Sequence, residues 1–152
     1  MTNNTIDTLP LAEKLRPDNL SEVVGQPQLT ELPFTQLQAS SFIFWGPPGS
    51  GKTTIAKILG KETEQEFICL SAVFDGISDI RKIYDRTKQL TSENKPILVF
   101  IDEIHRFNKN QQDALLPGIE DGSIRLIGAT TENPSFSLNT ALLSRTQVIV
   151  FS

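Results

Sequence analysis

The chain has 152 residues, and several residue types occur only once: cysteine, histidine, tryptophan, tyrosine and methionine. A lone Cys69 excludes an internal disulfide. With a lone His105, it also leaves no Cys/His grouping at zinc spacing. Long hydrophobic runs are missing. The longest is Ile97-Leu-Val-Phe-Ile101, far short of the ~18 residues needed to cross a bilayer. The first residues, Met1 to Asp7, have no basic start and no apolar stretch, so no secretory signal is read there. Excess positive charge is absent as well. A formal net charge of −4 argues against coating nucleic acid by bulk charge alone. These absences point to a soluble, cytoplasmic protein with no membrane partner.

What is present suits one globular domain with a real core. The 9 prolines are unevenly placed. Pro10, Pro17, Pro27 and Pro33 fall within residues 10–40, where they favour loops and short helical pieces. Residues 1–9 are polar and read as a loose, flexible tail. Beyond residue 40 the pattern becomes regular. Phe42–Trp45 predicts a short buried strand ending at Gly46. Lys52–Leu59 predicts a helix closed by Gly60. Phe67–Leu70 is a second strand, which would bury Cys69 as a small hydrophobe, and Trp45 is also expected in the core. Ile77, Ile80, Ile83, Tyr84 and Leu90 share one helix face. Ile97–Ile101 is apolar throughout, as in a parallel strand covered on both sides. Asn108–Leu116 reads as a helix that Pro117-Gly118 kinks or ends. Ile124–Ala129 and Gln147–Phe151 are strands four and five. Alternating strands and helices predict an α/β fold, a five-stranded mostly parallel sheet with helices on both faces. The strand order does not follow from this pattern.

Gly46-Pro-Pro-Gly-Ser-Gly-Lys-Thr53 matches G-x-x-x-x-G-K-[ST], the phosphate-binding loop. It follows a predicted strand and opens a predicted helix, as the motif requires. Glycines at 46, 49 and 51 let successive N–H groups turn inward toward phosphate oxygens. The helix N-terminus adds its positive dipole end. Pro47, Pro48, Ser50 and Thr54 complete the candidate cradle. Lys52 would reach the β- and γ-phosphates, and the Thr53 hydroxyl would hold Mg²⁺. A chance glycine-rich turn explains the context poorly.

The apolar third strand ends in Asp102-Glu103. Ligands in open α/β sheets bind at that end of the strands. Asp102 would hold Mg²⁺ through water, and Glu103 would act as general base on the attacking water. The fourth strand ends in Thr130-Thr131, where a hydroxyl could sense the γ-phosphate or simply cap the strand. Leu142-Leu-Ser-Arg145 places an arginine at the end of a short helix. It could stabilise charge on a neighbouring subunit's γ-phosphate, or be a solvated surface residue.

In order along residues 10–150 come the phosphate loop, Ile101–Lys109 (IDEIHRFNK), Gln111–Pro117 (QQDALLP), Ile127–Phe136 (IGATTENPSF) and Ala141–Arg145 (ALLSR). Together they resemble the AAA+ ATPases of the replication-associated recombination protein A family. Werner-helicase-interacting ATPases are eukaryotic relatives; clamp-loader subunits and the Holliday-junction branch-migration motor are more distant kin. The strings His105–Asn108 and Thr130–Phe136 are more specific than the phosphate loop. The resemblance implies a P-loop NTPase fold with Mg-dependent ATP hydrolysis. It implies that Arg16, Pro17, Val24 and Gly25 pack around the adenine, that Thr131 is the nucleotide sensor, and that Arg145 is a finger acting in trans. It further implies a ring of subunits, DNA at forks or junctions, a single-strand-binding protein as candidate partner, association with the nucleoid, and work at stalled replication forks. The helical lid of such proteins would follow Ser152, so residues 10–152 are expected to be the ATPase core alone.

Other readings compete. The chain could be a catalytically weak nucleotide-binding or interaction module, a clamp-loader or branch-migration type subunit, or, less well supported, a small-molecule kinase. His105 suits a helix-start or coupling role better than metal ligation. Arg81, Lys82, Arg86 and Lys88 could touch DNA phosphates, but Asp79 and Asp85 dilute their charge, and a solvated helix face is the simpler reading.

Overall fold

A computed structural model describes residues 34–90 and 95–152. The expected tail at 1–9 and the adenine-side residues Arg16, Pro17, Val24 and Gly25 lie outside that range. Five strands form one sheet in the order β2-β3-β4-β1-β5. They are β1 (Phe42–Trp45), β2 (Phe67–Ser71), β3 (Ile97–Asp102), β4 (Ile124–Thr130) and β5 (Gln147–Val150). All four strand pairings are parallel.

Alternation along each strand sorts side chains to two faces, because successive residues point to opposite sides. Phe42, Phe44, Leu98, Phe100, Ile127 and Ala129 face one way. They pack with Leu37 of α1 (Phe34–Ala39) and with Ile55, Ala56, Ile58 and Leu59 of α2 (Lys52–Thr63). Ile43, Ile97, Val99, Ile101 and Leu126 face the other way. Against them pack Ile80 and Ile83 of α3 (Ile77–Lys88), together with Ile104, Leu115 and Leu142. Between β2 and β4, β3 is buried from Ile97 to Ile101, and only Asp102 emerges. Burial on both faces explains why its sequence shows no polar alternation.

Four local expectations need correction. Gly60 does not close α2; the helix continues to Thr63, and Glu64 caps it in the left-handed conformation. Gly60 instead makes room for a strand, since an added Cβ would stand 3.0 Å from Phe67 Cδ1. Pro117-Gly118 does not end a helix either. The chain forms α4 (Lys109–Asp113) and then α5 (Leu116–Asp121), with Pro117 in the first turn of the second, where its missing N–H has no helical partner to lose. Cys69 is exposed, because β2 is an edge strand. Trp45, at the last position of β1, is only half-buried.

Side-chain hydrogen bonds place the short helices beyond β3. Asn108 caps α4 by accepting from Gln111 N at 2.8 Å, and the Gln111 side chain accepts from Asn108 N at 2.8 Å, a reciprocal capping box. Buried Gln112 donates to Phe107 O and Ser137 O and accepts from Asn139 N. It thereby ties α4 to α6 (Pro134–Ser137) and to the start of α7 (Thr140–Leu143).

Gly118 shows the packing at its tightest. A Cβ there would lie 2.6 Å from Ile124 Cδ1 and 2.8 Å from Tyr84 Cε1. Tyr84 cannot swing away freely: its hydroxyl donates to Ala114 O at 2.7 Å and accepts from Gly118 N at 3.0 Å. Gly118→Ala should therefore cost about 1–3 kcal/mol by overpacking, read as a lower midpoint in urea unfolding followed by circular dichroism.

Candidate functional site

The parallel register brings the ends of β1, β3 and β4 to one edge of the sheet. Trp45 pairs with Thr130, and Ile101 with Gly128. Gly46 N donates to Thr130 O at 3.1 Å, so the phosphate loop leaves β1 while still bonded to the end of β4. A cavity of about 540 Å³ opens there, lined by Pro48–Thr54, Asp102, Glu103 and Ala129–Thr131. Cradle residues from Pro48 to Thr54, the acidic pair and the candidate sensor meet around one space, although up to 83 positions (Pro48 to Thr131) separate them in sequence.

Within the loop, Gly49 has φ 76° and Gly51 φ 95°. Both lie in the left-handed region that side chains disfavour, and no atom lies within 4 Å of a Cβ built at either. Glycine is needed there for backbone shape, not for space. Ser50 Oγ donates to Pro47 O at 2.7 Å and closes the loop on itself.

Lys52 opens α2 and turns back under the loop. Its ammonium donates to Gly46 O at 2.6 Å and to Pro47 O at 2.9 Å. The residue is 9% exposed, and burial pulls its pKa below the ordinary lysine value while the Asp102 charge partly restores it. Two carbonyl oxygens do not neutralise a buried cation, so an anion at this place is favoured electrostatically.

Asp102 is the exposed last residue of β3 and Glu103 the half-buried residue after it. Glu103 adopts φ 53° and ψ 47°. Left-handed backbone at a non-glycine residue is costly and tends to persist where function requires it. The turn Ile104–Arg106 that follows is closed by Arg106 N donating to Glu103 O at 2.8 Å. Thr53 and Asp102 offer a hydroxyl and a carboxylate to the same cavity. Among the described residues no three His, Cys, Asp or Glu side chains cluster as a metal site. A cation held here would draw its other ligands from substrate oxygens and water, with hard oxygen donors only. That suits Mg²⁺, which keeps several waters and binds through few protein ligands plus phosphates.

Thr131 is exposed at the cavity and Thr130 is buried beside it. Arg145 lies elsewhere. It precedes β5, whose Gln147 pairs with Phe42 at the start of β1, whereas the phosphate loop follows the end of β1. Four residues of strand, roughly 13 Å, separate the two levels. Arg145 lines a second cavity of about 510 Å³ with Ser40, Arg125, Ser144 and Gln147. It is ion-paired with Glu120 and donates to Ala141 O at 2.9 Å. It therefore does not reach the phosphate loop of its own chain.

On α3, Arg81, Lys82 and Lys88 are exposed, whereas Arg86 is engaged within the chain. Arg86 grips Glu66 through Nε and Nη2 at 2.9–3.1 Å, and this holds the Glu66 carboxyl below the usual range.

Residues 42–152 match the family described as "ATPase family associated with various cellular activities (AAA)". The chain belongs to the AAA ATPase family. Curated relatives include replication-associated recombination protein A of Haemophilus influenzae, 52% identical over 93% of this chain and 33% of the relative. The Escherichia coli K12 protein of that name is 48% identical over 91% of this chain and 32% of its own length. ATPase WRNIP1 of Dictyostelium discoideum is 49% identical over 91% of this chain and 17% of the relative. The chain thus spans about a third of the length of the bacterial relatives. Among solved structures, the Thermotoga maritima RuvB Holliday junction branch migration motor superposes with a TM-score of 0.69 at 32% identity, over 90% of this chain and 48% of that one. The resemblance read from residues 101–145 is the one these relatives carry. The parallel sheet with helices on both faces is the expected P-loop fold. No helix among the described residues is long and apolar enough to cross a membrane.

Two features escaped the sequence reading. The coil at Glu103 has no sequence signature, since glutamate is not a residue that advertises left-handed backbone. Arg125 is 1% exposed inside β4, where desolvation lowers its pKa to about 10. Its signal was a charge standing in an otherwise apolar strand.

A Gly51→Ala substitution isolates the backbone requirement, because no neighbour obstructs the new methyl. It should cost about 1–2 kcal/mol for the left-handed residue alone, seen in urea unfolding, and should weaken binding of a fluorescent ATP analogue in a direct titration.

Proposed function

We propose that this chain binds ATP with Mg²⁺ and hydrolyses its terminal phosphate bond, as the ATPase core of a protein that acts on DNA in replication-associated recombination and repair. The observation that carries the reading is Lys52: a buried lysine whose ammonium is held by uncharged loop oxygens, beside left-handed glycines, in one cavity with Asp102 and Glu103.

The residues divide the work. Backbone N–H groups from Gly49 to Thr54 hold phosphate oxygens, aided by the N-terminal dipole of the twelve-residue α2. Lys52 exchanges its carbonyl partners for β- and γ-phosphate oxygens and offsets the charge that develops on them. Thr53 and Asp102 would hold Mg²⁺, which when bound neutralises phosphate charge and orients the β- and γ-groups. Glu103 accepts a proton from the attacking water. Thr131 orients that water or the γ-phosphate from the end of β4.

Arg145 belongs to the neighbour's reaction in this reading. Its distance from its own phosphate loop and its place on the opposite edge of the sheet support action in trans, which requires self-association. An arginine supplied this way contributes about 10³–10⁵ in rate, so the isolated chain should turn over slowly. The likeness to a branch migration motor favours a second reading, a subunit that moves DNA junctions. The higher identity to recombination protein A supports the first.

Binding and turnover separate these roles. Lys52→Ala should abolish Mg-dependent binding of a fluorescent ATP analogue, while Glu103→Gln should bind it normally and release no phosphate. Mixing Lys52→Ala chains, which keep the finger, with Arg145→Ala chains, which keep the site, should give more phosphate release than either variant alone. Equal binding by Lys52→Ala and wild type would leave only an interaction module.

A further inference from the structure

His105 lies in the short turn that follows Glu103, and its side chain is 7% exposed. Its Nδ1 stands 2.8 Å from Thr130 Oγ1. Glu132 N already donates to that hydroxyl at 3.0 Å. The hydroxyl also lies 3.3 Å from Glu132 O, an alternative acceptor for its hydrogen, so the Thr130–Nδ1 bond runs in either direction according to the histidine tautomer, and Nε2 faces Glu132 Oε2 at 4.0 Å. Thr130 is a junction in its own right. Its carbonyl accepts from Gly46 N, the first residue of the phosphate loop, and its neighbour is Thr131. On the other side, Ile104 locks the turn against the sheet, packed where a Cβ on Gly128 would stand only 2.7 Å from Ile104 Cδ1.

We propose that His105 is a positioning residue: its bond to the Thr130 hydroxyl ties the left-handed turn carrying Glu103 to the strand end carrying Thr131 and the phosphate loop, so that base and sensor keep one spacing. Asp102 and Glu103 leave the sheet at β3, and Thr130 and Thr131 at β4. Backbone pairing between these strands ends at Ile101 and Gly128, so beyond that level His105 supplies the cross-link. The bond is part-buried, and without it Thr130 Oγ1 keeps only its local contacts to Glu132 N and O. The inference rests on the ATPase reading above, with Glu103 as the base.

The test is single-turnover ATP hydrolysis with chain in excess, alongside direct MgATP affinity. His105→Phe and Thr130→Val should each slow hydrolysis by about 10–100-fold, the scale of a small misplacement of catalytic groups. For His105→Phe, affinity should stay within about twofold of wild type, because His105 does not line the cavity. The double variant should be no slower than the slower single one, as expected for two ends of one interaction. His105→Asn, whose amide oxygen can take the place of Nδ1, should recover most of the rate, whereas His105→Gln should not. Additive losses, equal failure of His105→Asn and His105→Phe, or a fall in affinity matching the fall in rate would overturn the proposal. Glu103→Gln and wild type distinguish the two levels: a dead Glu103→Gln beside an unaffected His105→Phe refutes the positioning role alone, a fully active Glu103→Gln refutes Glu103 as the base and the positioning role with it, and absence of hydrolysis by wild type refutes the ATPase reading.

Discussion

The parallel pairing of β1 with β4, and of β4 with β3, is the constraint from which the site follows. Parallel strands deliver all their C-terminal ends to one edge. Hydrogen bonding then fixes the level at which each chain segment leaves the sheet. Gly46, Asp102 and Thr131 emerge within a few residues of one another in register. Without that register the phosphate loop and the carboxylates would be two unrelated motifs. The core supports it from both sides: phenylalanines of β1 and β3 pack toward α2, and isoleucines of the same strands pack toward α3.

Within this frame the polar groups are arranged around unmet demand. Lys52 is held by oxygens that carry no full charge, and Glu103 is held in a conformation the backbone disfavours. Both conditions cost stability, and both fit the proposed binding of a polyanion. The surrounding groups, by contrast, are well satisfied. Asn108 and Gln111 cap each other, and Gln112 uses both ends of its amide. Satisfied groups thus support the cavity, as a preorganised site requires, while one further unmet group, the buried Arg125 Nη2, lies at the other end of the sheet.

The two ends of the sheet carry different chemistry. The edge with the phosphate loop gathers the lysine, the hydroxyls and the carboxylates. The opposite edge holds Arg145, paired with Glu120, beside the buried Arg125. Arg125 donates to Ser40 O and to Gln65 Oε1, which pins the entry to β1 against the start of β4. One chain thus presents a site at one edge and an arginine at the other, a layout that suits head-to-tail assembly.

Contiguous signals in the sequence were sufficient for much of this. The phosphate loop is a single run whose spacing encodes its own geometry, and β3 announces itself by five apolar residues before two acids. The α3 face, with Ile80 and Ile83 inward, follows from helical period. Signals that depend on remote partners were not legible. Gly60 and Gly118 read as helix breakers because glycine is locally disfavoured in helices, yet each is explained by a side chain from elsewhere, Phe67 or Tyr84 with Ile124. Cys69 read as buried because strand residues usually are, until the strand order put β2 at the edge. Sequence alone determined which groups are candidates for the chemistry, since motif spacing is a property of the local backbone. Only the tertiary structure decided which of them meet, because strand order and register are set by packing between segments far apart in the chain. That is what separated Arg145 from its own phosphate loop and placed His105 against Thr130.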